Sequence, residues 1–117
     1  MFVPGPKPRP ALVVDIGRLG DDPAVEVIYG TSRKLDRLVP REFSIVQEDG
    51  DAFAASGLSH PTKFDTARSV FLPYSDDWFF VPAGAPYGQT PKLGVLHPSL
   101  MRRAKAAFAA ASRTGRR

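Results

Sequence analysis

Twelve prolines and ten glycines punctuate a chain of 117 residues, and they constrain its fold more than any other feature. Proline removes a backbone donor and breaks helices, and glycine loosens them, so breaks this frequent favour short strands over long helices. The first segment, about Arg9 to Ile16, opens Arg-Pro-Ala-Leu-Val-Val. Its unbroken apolar run reads as a strand buried on both faces. Gly17 to Pro23 is a turn-rich link. Ala24 to Gly30 alternates, with Val25, Val27 and Tyr29 on one face and Glu26 and Ile28 on the other. A hairpin is the shortest connection between these two strands.

Further segments follow the same logic. Residues 31 to 40 are polar and basic and read as a loop; Arg41 to Glu48 alternates as a third strand. Asp51 is placed to N-cap a helical turn over Ala52 to Ser56 that Gly57 closes. A fourth strand runs from Thr62 to Leu72 with a bend near Ala67. Trp78-Phe79-Phe80-Val81 is expected to plug one end of the core, and Lys92 to Leu96 reads as a short fifth strand. Beyond Pro98 the spacing predicts a helix over 98–112, with His97 as its cap and Leu100, Ala104, Phe108 and Ala111 as its apolar stripe. Residues 1–8 form an extended lead-in and 113–117 a basic tail. The expectation is one domain, mainly β, with a C-terminal α-helix.

Composition narrows the chemistry. There is no cysteine, hence no disulfide, thiolate metal site or cysteine nucleophile, which fits a reducing cytoplasm. No signal-like leader and no apolar stretch near membrane-spanning length is seen, so no membrane partner is expected. The net charge is +4, but Arg113, Arg116 and Arg117 in the tail supply most of it, and global charge is a weak sign of a nucleic-acid partner. No phosphate loop, nucleophile elbow or metal-ligand spacing occurs, so neither metal nor cofactor is expected.

The residues left to carry chemistry are Arg9, Thr31 with Ser32, the basic run Arg33, Lys34 and Arg37, and the group Lys63, Asp65 and Arg68. Two of these have a plain alternative: Arg9 as a solvated charge beside a proline, residues 31–40 as a solvated loop or single helical turn. An antiparallel first hairpin would set Arg9 beside Thr31. A guanidinium next to a hydroxyl suits a phosphodiester, because the fork holds the non-bridging oxygens while the hydroxyl donates as charge develops. A nearby aspartate would accept a proton from a ribose 2′-hydroxyl. His60 reads as a surface histidine, and Tyr29 and Tyr87 as either packing residues or base-stacking platforms.

The run Pro-Gly-Pro-Lys-Pro-Arg-Pro-Ala-Leu-Val-Val, the strand ending Ile-Tyr-Gly-Thr-Ser, the Phe-Asp-Thr-Ala-Arg segment and the closing helix resemble the PemK/MazF family of toxins from toxin–antitoxin pairs. The resemblance implies a small SH3-like barrel of about five to seven strands with a C-terminal helix, in a homodimer. It also implies metal-independent cleavage of single-stranded RNA by 2′-hydroxyl attack, with a cognate antitoxin as partner. On it, Arg9 and Thr31 fall on catalytic positions, Asp65 on a proposed base and Lys63 on a neighbouring basic residue. Ser32, Arg33, Lys34, Arg37, Lys63 and Arg68 would bind RNA. Family members carry a strand and a long loop before the Arg-Pro, where eight residues stand here, and Thr66 replaces a glutamine of the Kid-like segment. A relative of the same fold that poisons gyrase by binding it, without catalysis, sets the alternative of a protein-binding barrel or interaction module.

Overall fold

The computed structural model describes residues 9–75, 77–79, 81, 84 and 86–115, the last three by backbone alone. The lead-in, Phe80 and Arg116–Arg117 lie outside these residues. Strands β1 (Ala11–Leu19), β2 (Asp22–Thr31), β3 (Glu42–Ile45) and β4 (Thr62–Pro73) form one antiparallel sheet in the order β1-β2-β4-β3. Helix α1 covers Asp51–Ser56 and helix α2 Met101–Gly115. The architecture is mainly β, a curled half-barrel sheet with a C-terminal helix, and it fits a small β-barrel carrying such a helix.

The first hairpin is antiparallel as expected, pairing Ala11 with Tyr29 and Leu12 with Ile28. Its turn is tighter than the expected link: Leu19 pairs with Asp22, and Gly20 supplies the positive φ of 64° that a two-residue connection needs. β1 is not buried on both faces. It forms the edge of the sheet, with Val13 51% and Ile16 77% exposed, while Leu12 and Val14 lean on the core. An apolar run shows that a strand has sides to cover, but its place in the sheet decides whether they are covered.

The core gathers Ile28 from β2, Phe43 and Ile45 from β3, Phe64 from β4, Ala52 from α1, and Leu100, Ala104 and Ala107 at and along the last helix. Phe43 and Phe64 are register partners whose rings stack at 5.4 Å. Gly30 allows this closeness, since a Cβ there would lie 2.4 Å from Thr62 Cγ2 and 2.9 Å from Phe64. β3 is shorter than expected and gives way to a 3-10 turn at Gln47–Asp49. Gly50, at φ 62°, caps α1 in place of Asp51, whereas Gly57 closes it in the left-handed conformation.

Lys92 to Leu96 is not a strand. It lies against α1, where Val95 N–H donates to the Ala55 carbonyl at 2.9 Å and Gly94 packs on Ser56. Two glycines make this approach possible, because side chains at 57 or 94 would collide with backbone. The last helix starts as expected: Pro98 opens a 3-10 turn and His97 accepts from Ser99 N–H at 3.1 Å. Its buried stripe is Leu100, Ala104, Ala107, Ala110 and Ala111, whereas Phe108 is 37% exposed. Small residues let the helix sit close to the sheet, and the bulkier Phe108 falls at the rim. Trp78 and Phe79 are half-buried outside the core; Trp78 lines a cleft of about 380 Å³ with Pro23, Pro73 and Tyr74. No helix among the described residues is long and apolar enough to cross a membrane.

Candidate nucleic-acid interface

The residues singled out from the sequence gather at one end of the sheet, where β1 begins and β2 ends. Gly30 N–H donates to the Pro10 carbonyl at 2.8 Å, which continues the hairpin register by one step. Arg9, exposed, therefore enters the sheet at the level of Thr31. On the other side of β2, Thr31 pairs with Lys63, and Lys63 pairs with Ser44. A row Thr31, Lys63, Ser44 thus crosses β2, β4 and β3, and Arg9, just ahead of β1, extends it on the open side of β2.

Thr31 also starts the basic loop. Its Oγ1 accepts from Arg33 N–H at 3.1 Å, a local turn that fixes the hydroxyl oxygen and leaves its proton to donate elsewhere. Ser32, Arg33, Lys34 and Arg37 are exposed, and Lys34 takes a left-handed backbone with φ 55°. Lys63 belongs to a different environment. It is 8% exposed, and its ammonium donates to the Arg37 carbonyl and to Glu42 Oε1, each at 3.1 Å.

The bend expected near Ala67 is a wide bulge. Ile28 pairs with Ser69 and Gly30 with Phe64, so Tyr29 alone spans the stretch of β2 facing Asp65, Thr66, Ala67 and Arg68. Bulges redirect side chains. Thr66 pins this one, with its N–H donating to the Arg41 carbonyl at 3.0 Å and its hydroxyl lying 2.7 Å from that oxygen and 3.1 Å from the Ala107 carbonyl. Asp65 is held at the centre: Arg41 Nε reaches both its oxygens at 3.0 and 3.2 Å, Arg68 Nε stands 3.5 Å from Oδ2, and Ala67 N–H donates to Oδ1. Arg68 is 81% exposed in its side chain. Burial raises the pKa of Tyr29, beside the bulge, above its ordinary value, so it stays a neutral phenol at physiological pH.

Sequence reasoning missed Arg41 and Glu42. Arg41 offered a signal in its place after Pro40 at a strand start, but its reach to Asp65, 24 residues away, depends on β3 joining β4. Two other candidates are locally occupied. His60 Nδ1 lies 2.9 Å from Ser59 Oγ, and Lys92 sits over the Tyr87 ring at 4.5 Å. Among the described residues no three His, Asp or Glu side chains converge as metal ligands. Compared with protein-family models, with curated proteins and with solved structures, the chain matches none.

Proposed function

We infer that the protein is an endoribonuclease cutting single-stranded RNA without a metal, the toxin of a toxin–antitoxin pair. The observation that carries this reading is the register that brings Arg9 level with Thr31 at a sheet end rimmed by Arg33, Lys34, Arg37, Arg41 and Arg68. In the reaction a ribose 2′-hydroxyl attacks the adjacent phosphorus and the bond to the 5′-oxygen breaks. The products are a 2′,3′-cyclic phosphate and a 5′-hydroxyl. Arg9 holds the non-bridging oxygens as charge accumulates, and Thr31 donates a further hydrogen bond.

Asp65 is the candidate base, under a geometric condition. Its lone pairs face Arg41, Arg68 and Ala67 N–H, so it accepts a proton only once a partner moves off. Arg68, the most exposed and most distant of the three, is the one a substrate phosphate would draw away. On this reading the sheet is part of a small SH3-like barrel in a cytoplasmic homodimer, and the antitoxin covers the Arg9/Thr31 groove.

Incubating wild-type and Arg9→Ala protein with single-stranded RNA in EDTA, then mapping the ends, tests the assignment. Cleavage by wild type alone, leaving cyclic phosphate and 5′-hydroxyl ends, is expected. A wild type that cuts no RNA sinks it in favour of the second reading, a protein-binding barrel. The exposed apolar edge at Val13 and Ile16 supports that reading.

A further inference from the structure

Lys63 is the least exposed cation described, and its partners are known atom by atom. Its ammonium bridges the Arg37 carbonyl and Glu42 Oε1, and the same Glu42 oxygen accepts from Val39 N–H at 3.1 Å. Both side chains are nearly covered, at 9% and 12% exposed. A buried ion pair contributes little to net stability, since desolvation offsets most of the attraction, but it specifies one arrangement of the groups around it. Here those groups belong to the loop 32–41. Its far end is held at Arg41 by Thr66 and Asp65, but between the ends it has little apolar cover: Leu35 is half-buried, while Leu38 and Val39 are 47% and 41% exposed.

We propose that Lys63 and Glu42 form a positioning pair that fixes the basic loop over the sheet end, and that Lys63 does not itself contact RNA. The pair rests on the nuclease reading only for what the loop touches. Lys63 bonds the carbonyl of Arg37, leaving that residue's guanidinium to face outward, and Glu42 ties the next turn through Val39. Arg41 follows and is anchored separately on Asp65. The loop therefore leaves the sheet at Thr31, is tied down in its middle, and returns at the bulge. Arg33, Lys34 and Arg37 are thus held at the sheet end without spending their charge on the anchor, whereas Arg41 is paired with Asp65.

The test uses Lys63→Met combined with Glu42→Gln, which removes the ammonium without stranding a buried carboxylate, and Lys63→Met alone as a second variant. Three quantities are read: amide hydrogen exchange, the salt dependence of binding to a single-stranded RNA oligonucleotide, and kcat against KM for its cleavage. In the double variant the amides of residues 37–39 are expected to exchange at least about tenfold faster while β2 and β4 keep their protection. RNA binding weakens and KM rises with kcat little changed, and the slope of log affinity against log salt stays as in wild type. A slope that drops by about 0.7 would make Lys63 a direct phosphate ligand and overturn the proposal. Loop exchange unchanged in both variants would overturn it as well. If wild type binds no RNA, the nuclease reading fails, and the exchange comparison still decides whether the pair anchors the loop.

Discussion

Arg103 with Asp49, and Arg41 and Arg68 with Asp65, are two clusters made of the same groups in different ratios. In the first the match is one to one. Arg103 Nη1 donates to Asp49 Oδ2 at 2.9 Å and to the Ser44 carbonyl at 2.9 Å, and Nη2 donates to Oδ1 at 3.0 Å. This fork joins α2 to the turn after β3. The hydrogen bond from Arg103 holds the Asp49 carboxyl below its ordinary pKa and raises that of the guanidinium in turn. In the second cluster two guanidiniums share one carboxylate. The one-to-one pair is closed and structural, whereas the two-to-one cluster keeps a positive charge available to an anion.

The sharpest way to break this contrast is activity. Arg9→Ala, at the end of the sheet that holds the two-to-one cluster, is expected to slow RNA cleavage about a hundredfold or more, the usual loss when a donor to developing negative charge is removed. Arg103→Met should leave the rate unchanged. Single-turnover rates on one oligonucleotide check both, and an inactive but folded Arg103→Met would erase the distinction.

Stability should divide the clusters the other way. Asp49→Ala strips Arg103 of its fork and Val46 N–H of its acceptor at 2.8 Å, so a loss of about 1–2 kcal/mol is expected. Arg68→Ala, on an exposed side chain, should stay within about 0.5 kcal/mol. Urea midpoints measure the two together.

The pH dependence sharpens the same point. Because the Asp49 pKa is lower in the folded chain than in the unfolded one, its contribution is fully present above about pH 4 and is lost as pH falls through the folded pKa. Urea midpoints followed into acid should fall along a limb that Asp49→Asn flattens. The smallest effect is expected of Arg68→Ala on binding, a fall of about 0.7 in the salt slope with a modest loss of affinity. Anisotropy titrations over a salt series would show it, and an unchanged slope would mean that Arg68 serves Asp65 alone.

Much of this was legible in the residues. The first hairpin followed from two β-rich segments around a turn, and its antiparallel pairing carried Arg9 to Thr31 without further information. His97, Pro98 and Gly57 announced their caps, and the bend of β4 showed near Ala67. Three features did not. Lys63 looked like one more RNA-binding cation because its neighbours in sequence, Thr62 and Phe64, say nothing of Glu42 or the Arg37 carbonyl. Lys92 to Leu96 looked like a strand because β-pattern does not reveal whether a partner strand is free to receive it. Phe108 shared the spacing of the helix stripe, yet the close fit to the sheet favoured Ala107 and Ala110.

The sequence by itself determined part of the local structure: the first hairpin and its antiparallel pairing, the bend of β4, the start of the last helix and the close of α1. Those choices rest on backbone dihedrals, capping groups and side-chain period, which depend on residues close along the chain. Only the tertiary structure decided that β1 lies at the edge, that Lys63 is buried beneath the basic loop, and that Arg41 reaches Asp65. Each of these follows from the order β1-β2-β4-β3, which sets β3 beside β4 and leaves β1 with one neighbour. Strand order reflects contacts between distant segments, among them the packing of β3 and β4 against α2, and no single segment encodes it.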